Sequence, residues 1–379
     1  MSGTQRSDPY YKLLRIIIGL LVLFAVFLVA YFLIDSSLQG QLRKEQGRIV
    51  EENNAMVEEY NAAVLAQRSS AEPDVAPTWP QPKAEGIDIV NLKGFAVKGV
   101  DQVSVSRAEA LMGGLMLLNR WHSLPSDFSL VEGELKSIME LSNNKVPTEK
   151  RVLSLFPAAI EALNELVTAA KTEGIEDFLV RDAYRSMDTQ ASYWTNRMEK
   201  TGASGKLTGD ALVEEVKKFV SYPGTSDYQS GLSVEMDVWN QNDPVLKEAN
   251  IHETAQGKWL YENSWKYGYV FRFPISGYPY PETVDKSFKT AINLKLDAYR
   301  YVGVPHALVM HQLDLCLEEY IEYLMANRHL AVYEDGQIKY EIFRVETAPG
   351  DVELRLPEGA ASYTVSDDNM GGLVVAVTY

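Results

Sequence analysis

Two carboxylates alternate within Leu232–Val238 of this 379-residue sequence, Glu235 and Asp237, and strand periodicity places both on one face. Oxygen donors in that arrangement suit a hard cation such as calcium; the alternative is an acidic pair that is solvated or met by a lysine. Upstream, Ala183-Tyr184-Arg185-Ser186 brings a guanidinium and a hydroxyl to the end of a strand-like run, Asp177–Asp182, just ahead of a helical stretch from Met187 to Lys200 that carries Gln190. Downstream, Lys295-Leu296-Asp297-Ala298 offers an ammonium and a further carboxylate. The histidines His122, His252, His306, His311 and His329 fall in separate segments with no His-Glu-x-x-His spacing, and His306 and His311 stand five apart on one expected helix, a poor geometry for shared ligation. Ser186 and Ser226 lie in neither a Gly-x-Ser-x-Gly elbow nor a Ser-x-x-Lys motif, which argues against a serine nucleophile. Cys316 is the only cysteine, so an intrachain disulfide and a cysteine-based zinc site are both excluded; its apolar setting predicts a buried thiol within a helix.

The run Pro223-Gly224-Thr225-Ser226-Asp227-Tyr228-Gln229-Ser230-Gly231-Leu232-Ser233-Val234-Glu235 resembles the signature of VanY-type D-Ala-D-Ala carboxypeptidases, zinc enzymes that trim peptidoglycan stem peptides. That signature reads Pro-Gly-x-Ser-x-His-x-x-Gly-x-Ala-x-Asp, with the histidine and aspartate as zinc ligands. Tyr228 and Glu235 occupy those two positions here. A second segment, Lys295-Leu296-Asp297-Ala298-Tyr299-Arg300-Tyr301-Val302-Gly303, resembles the family's Glu-x-Trp-His, aromatic, Arg-Tyr-Val-Gly element, whose glutamate is the general base and whose histidine is the third ligand. Tyr299 to Gly303 fix the register, so Lys295 stands at the base position and Ala298 at the ligand position. Tyr184-Arg185-Ser186 with Gln190 resembles the family's Tyr-Arg-Ser segment, in which the arginine steadies negative charge on the substrate. The resemblance runs from about residue 110 to 330 with the blocks in one order.

Catalytic zinc needs three protein ligands and an open position, and its charge is what lowers the pKa of the bound water. A protonated phenol is a poor ligand, a methyl group is none, and a protonated lysine cannot take a proton from water. The resemblance therefore implies a family scaffold without its zinc, with no catalytic residue and no metal expected. Lys295 invites the thought that an ammonium neutralises Glu235 or Asp297 in place of the metal. The cleft residues expected are Tyr184, Arg185, Ser186, Gln190, Ser226, Tyr228, Trp239 and Arg300, with Arg185 in recognition and Tyr228 in aromatic packing.

The elements that must position these groups follow from pattern. Val152, Leu155, Ala159, Leu163, Leu166 and Ala170 form one helical stripe over residues 148–172; 209–220 reads as a helix, 115–120 as strand-like, and 306–327 as one long amphipathic helix. Beyond 331 short strands alternate with Pro and Gly turns, including 338–345 and 352–356. Residues 16–34 form an uncharged apolar run of the length needed to span a bilayer, and Arg6, Lys12 and Arg15 ahead of it predict a cytoplasmic N-terminus. Near-heptad Leu42, Ile49, Met56 and Val64 predict a helical stalk, with self-association through it as an alternative to a simple spacer; Pro73, Pro77, Pro80 and Pro82 predict an extended linker.

A net charge of −16 disfavours nucleic acid, and a 46% hydrophobic content supports a buried core. The expected fold class is α+β: a small antiparallel sheet with helices against it, a C-terminal β tail and an N-terminal transmembrane helix. The expected organisation is a cytoplasmic N-terminus (1–15), transmembrane helix (16–34), stalk (35–66), linker (67–87), carboxypeptidase-like core (88–330) and β-rich extension (331–379). Three functions remain open on the sequence: a membrane-anchored, extracytoplasmic pseudoenzyme that binds a stem peptide or a partner protein segment, a D,D-carboxypeptidase with an unorthodox metal set around Glu235 and Asp237, and an envelope scaffold with a vestigial cleft.

Overall fold

The computed structural model describes residues 17–24, 26–28, 79–92, 97, 99–131 and 133–379. Residues 17–24 and 26–28 are helical and exposed; the rest of the 16–34 run, the N-terminus, the stalk and the linker up to 78 lie outside the described residues. Among the described residues no helix is long and apolar enough to cross a membrane.

The body begins earlier than position 88. Trp79 packs edge-on against Tyr323 with ring centroids 4.9 Å apart, the Lys83 and Ala84 amides bond to Gln312, and Lys83 Nζ lies 3.0 Å from Asp314 Oδ1. Residues 79–86 thus form a strap held to the body, not a free linker. The strap leads into strand β1 (Ile87–Asn91), followed by β2 (Gly99–Val105) and the short pair β3 (Lys136–Ser137) and β4 (Ser154–Leu155). Leu115 to Leu118 are buried, yet they form no strand.

The helix Pro157–Thr172 starts at a proline, whose missing N–H and fixed φ suit a first turn. It turns Ala159, Ile160, Leu163, Leu166 and Ala170 inward; Val152 lies ahead of it and is exposed. Above this stripe sit β5 (Phe178–Asp182), β6 (Ser233–Val238), β7 (Tyr269–Phe271) and β8 (Ala298–Tyr301), an antiparallel sheet in the order β5-β6-β8-β7. Val180, Val234, Met236, Val238 and Tyr299 share a core with the helix. The opposite face is free for chemistry.

The expected single helix over 306–327 is two, Val304–Leu313 and Leu317–Ala326. Asp314 takes a left-handed conformation (φ 53) and Cys316 caps the second helix together with Glu319, so the cysteine is buried at a helix start. The C-terminal strands are β9 (His329–Glu334), β10 (Gln337–Glu346), β11 (Val352–Pro357), β12 (Ser362–Asp367) and β13 (Gly372–Thr378). They do not form a separate tail: β1-β9-β10-β13-β12 make one sheet, β11 pairs with β2, and Leu330, Val332, Ile342, Val374 and Ala376 pack against the two helices.

Candidate functional site

Tyr228 is held by a short 3-10 turn, Asp227–Ser230. Ser226 caps it with Gln229 in a reciprocal capping box, and Gln229 Oε1 accepts from the Gly224 amide at 2.7 Å. The turn ends at Gly231 in a left-handed conformation (φ 75), where an added Cβ would lie 3.0 Å from Leu135 and Phe156. Beneath the turn Asp227 is fully enclosed, with Arg300 Nη1 at 3.0 Å, Arg272 Nε at 3.1 Å and the Ser233 hydroxyl donating to its other oxygen. Burial pushes the Asp227 carboxyl up, but Arg300 and Arg272 more than offset this and hold it below its usual range. Arg272 also forms a two-point pair with Glu318, and Arg300 donates to the Gly114 and Met116 carbonyls.

On the face of the sheet away from the helix Pro157–Thr172, pairing sets Glu235 opposite Asp182 on one side and Ala298 on the other. Tyr228 packs with Phe273, Ile292 and Ala298. Thus Tyr228, Glu235 and Ala298 meet, and Lys295 meets them: its Nζ lies 2.5 Å from Glu235 Oε2 and 2.9 Å from Asp297 Oδ1. Asp237, on the same strand as Glu235, is paired by Arg181. Among the described residues no three His, Cys, Asp or Glu side chains are disposed to hold a metal ion.

Arg185 closes the other side. Its Nε donates to Asp182 at 2.9 Å and its Nη1 to Gln190 Oε1 at 3.2 Å, while Nη2 lies 3.8 Å from Glu235. The guanidinium is sandwiched between Tyr193 and Tyr228, 4.0 Å from each ring centroid, a cation–π arrangement on both faces. Tyr193 Oη donates to Asp182 at 2.8 Å; burial first, then this bond, pushes its pKa up to about 12. These groups surround a cavity of about 230 Å³, whose apolar wall is Phe219, Val220, Phe273 and Ile292 and whose polar wall includes Arg185, Ser226, Tyr228, Glu235 and Lys295.

Not every expected cleft residue reaches this cavity. Arg300 is 0% exposed and serves the ion network under the turn. It shares a face with Ala298 but lies two residues further along β8, past the cavity. Trp239, 46% exposed, lines a different cavity of about 310 Å³ with Lys145, Pro147 and Leu179. It lies four positions beyond Glu235 along an extended backbone, about 13 Å. Ser186 caps the helix Met187–Gly202, Gln190 orients Arg185 and bonds the Ser221 carbonyl, and half-buried Tyr184 lies off the lining. Tyr193 and the apolar wall were missed in the sequence, although Gln190 and Tyr193 show the i, i+3 spacing of one helix face.

The antiparallel sheet with its helices defines the peptidase-like fold class first. Vancomycin resistance D,D-dipeptidase VanXYg, solved in complex with a D-Ala-D-Ala phosphinate analogue, superposes with a TM-score of 0.57 at 19% identity over 74% of this chain and 99% of that one. In sequence, the family profile described as VanY, D-alanyl-D-alanine carboxypeptidase, matches residues 153–283. The putative carboxypeptidase YodJ of Bacillus subtilis is 30% identical over 208 residues, 55% of this chain and 67% of that protein. A D-alanyl-D-alanine carboxypeptidase of Enterococcus faecium is 26% identical over 287 residues, 74% of this chain and 80% of that protein. The chain belongs to the VanY D-alanyl-D-alanine carboxypeptidase family.

The residues at the family's zinc positions do not fit that ion. Tyr228 keeps its proton, because burial and then the Glu235 charge push its phenol well above the usual range. Ala298 offers a methyl group, and Glu235 already faces the Lys295 ammonium at 2.5 Å, which a second cation would have to displace.

Proposed function

We propose that this chain is a pseudoenzyme of its family, membrane-anchored and extracytoplasmic, which binds a peptidoglycan stem peptide or a partner segment in the inherited cleft without zinc and without hydrolysing it. The observation that carries the reading is the Lys295 ammonium between Glu235 and Asp297. Exchanging the family's base carboxylate for an ammonium changes the local charge by two in the positive direction, the charge of one divalent ion. The ammonium therefore stands in for the charge of the lost ion beside Glu235, while the cavity loses both Lewis acid and base and gains one carboxylate, Asp297, where the family has tryptophan.

Binding is supported by the cavity itself, which combines an apolar wall with the fixed guanidinium of Arg185. Relatives are named D-alanyl-D-alanine carboxypeptidases, which makes a D-Ala-D-Ala-terminated peptide the first ligand to test. Anchoring is supported by the uncharged run 16–34 and the basic residues before it.

The deciding experiment measures D-alanine release from a D-Ala-D-Ala-terminated peptide by the full-length chain, with and without added zinc. No release is expected in either case, and Tyr228→His, Glu235→Asp, Lys295→Glu and Ala298→His together are expected to create zinc binding. Zinc-dependent turnover by the unaltered chain would sink the proposal.

A further inference from the structure

Tyr228, in the cavity wall, carries the one fully buried side-chain oxygen of that lining with no hydrogen-bond partner among the described residues. Its side chain is 5% exposed, its ring supports the Arg185 guanidinium at 4.0 Å, and its hydroxyl has no hydrogen-bond partner within the protein. The neighbouring groups are engaged: Arg185 with Asp182 and Gln190, Lys295 with Glu235 and Asp297, Ser226 in the capping box. A buried, unsatisfied hydroxyl is destabilising unless a ligand completes it. The phenol is protonated, so what it offers is a donor.

The charges around it select the acceptor. Two cations, Arg185 and Lys295, face three carboxylates, Asp182, Glu235 and Asp297. An incoming carboxylate would add a fourth negative group to that set, whereas a neutral carbonyl oxygen takes the phenol proton at no such cost. Resting on the cleft reading above, we propose that Tyr228 is a ligand-recognition residue whose hydroxyl donates to an uncharged carbonyl, so that the cavity takes an amide within a peptide in preference to a free C-terminal carboxylate.

The test uses the full-length chain and its Tyr228→Phe variant, which keeps the ring against Arg185 and removes only the hydroxyl. Calorimetric titration compares N-acetyl-Lys-D-Ala-D-Ala as free acid and as C-terminal amide. The amide is expected to bind at least as tightly as the acid, and Tyr228→Phe to weaken it about tenfold, the scale of one hydrogen bond. The variant's melting temperature is expected to equal or exceed that of the parent. A tenfold preference for the acid, affinity indifferent to Tyr228→Phe, or a variant that melts several degrees lower overturns the proposal while leaving the cleft reading in place. Failure of the parent to bind either form overturns both.

Discussion

Replacing Lys295 by methionine keeps the aliphatic stem and removes the ammonium, leaving Glu235 and Asp297 with Arg185 as the nearest cation, 3.8 Å from Glu235. Stripping one partner from a fully buried ion pair costs about 3–5 kcal/mol, and an exposed pair contributes about 0–1 kcal/mol. The side chains of Lys295, Glu235 and Asp297 are 22%, 12% and 28% exposed, between those limits, and two carboxylates lose their partner together. A loss of about 2–3 kcal/mol follows, which lowers the melting temperature by roughly 3–5 °C for a body of about 300 residues. The freed carboxylates should then accept a hard cation from solution. Terbium is a suitable probe because Tyr193 and Tyr228 lie beside the site and can sensitise its emission. Thermal unfolding of the full-length chain and a terbium titration check both effects: Lys295→Met should gain luminescence that Lys295→Met/Glu235→Gln lacks. An unchanged melting temperature together with no terbium signal would mean that Lys295 does not bridge the carboxylates, and the electrostatic argument for a filled metal cavity would go with it.

Two further outcomes are expected. Asp227→Asn removes the counter-charge shared by Arg272 and Arg300 under the Tyr228 turn, and should cost about 3–5 kcal/mol, read by chemical denaturation. Burial lowers the pKa of His306 to about 3 and that of His311 to about 4 from an ordinary 6.5, so each proton prefers the unfolded chain. Stability is therefore full above about pH 6.5 and falls as acidity increases toward pH 4 and then 3, by about 1.4 kcal/mol per pH unit for each histidine; denaturation curves of His311→Gln across that window should show one proton less of slope.

Much of the site was readable through the resemblance to the VanY-type signatures. That resemblance places Tyr228 and Glu235 in one block, and the Tyr299–Gly303 register places Lys295 and Ala298 in another, so four positions distant in sequence could be brought together. What could not be read was how far along a strand the cavity extends. Arg300 sits on the correct face yet runs past the cavity under the turn, and Trp239 falls just beyond the end of β6 in a different cavity, because facing is set by parity and reach by register with neighbouring strands. The broken helix was hidden for a related reason: the apolar period continues through Asp314, and only the left-handed turn there separates its halves, although Cys316 and Glu319 carry a capping spacing. The strap was hidden because prolines in a row describe an extended backbone equally well whether free or docked, and Trp79 finds Tyr323 only in the fold.

That strap has a mechanical consequence. The chain ahead of Trp79 enters the body through contacts to Tyr323, Gln312 and Asp314, then through β1, the edge strand whose Ile87 lies opposite Glu334 and whose Asn91 lies opposite Leu330. A pull from the N-terminal side therefore loads the strap and then peels an edge strand rung by rung, and both must yield before tension reaches the sheet that carries Tyr228, Glu235 and Lys295. The cleft lies on a different sheet from β1, so load entering through residues 79–91 meets the strap and the edge strand first.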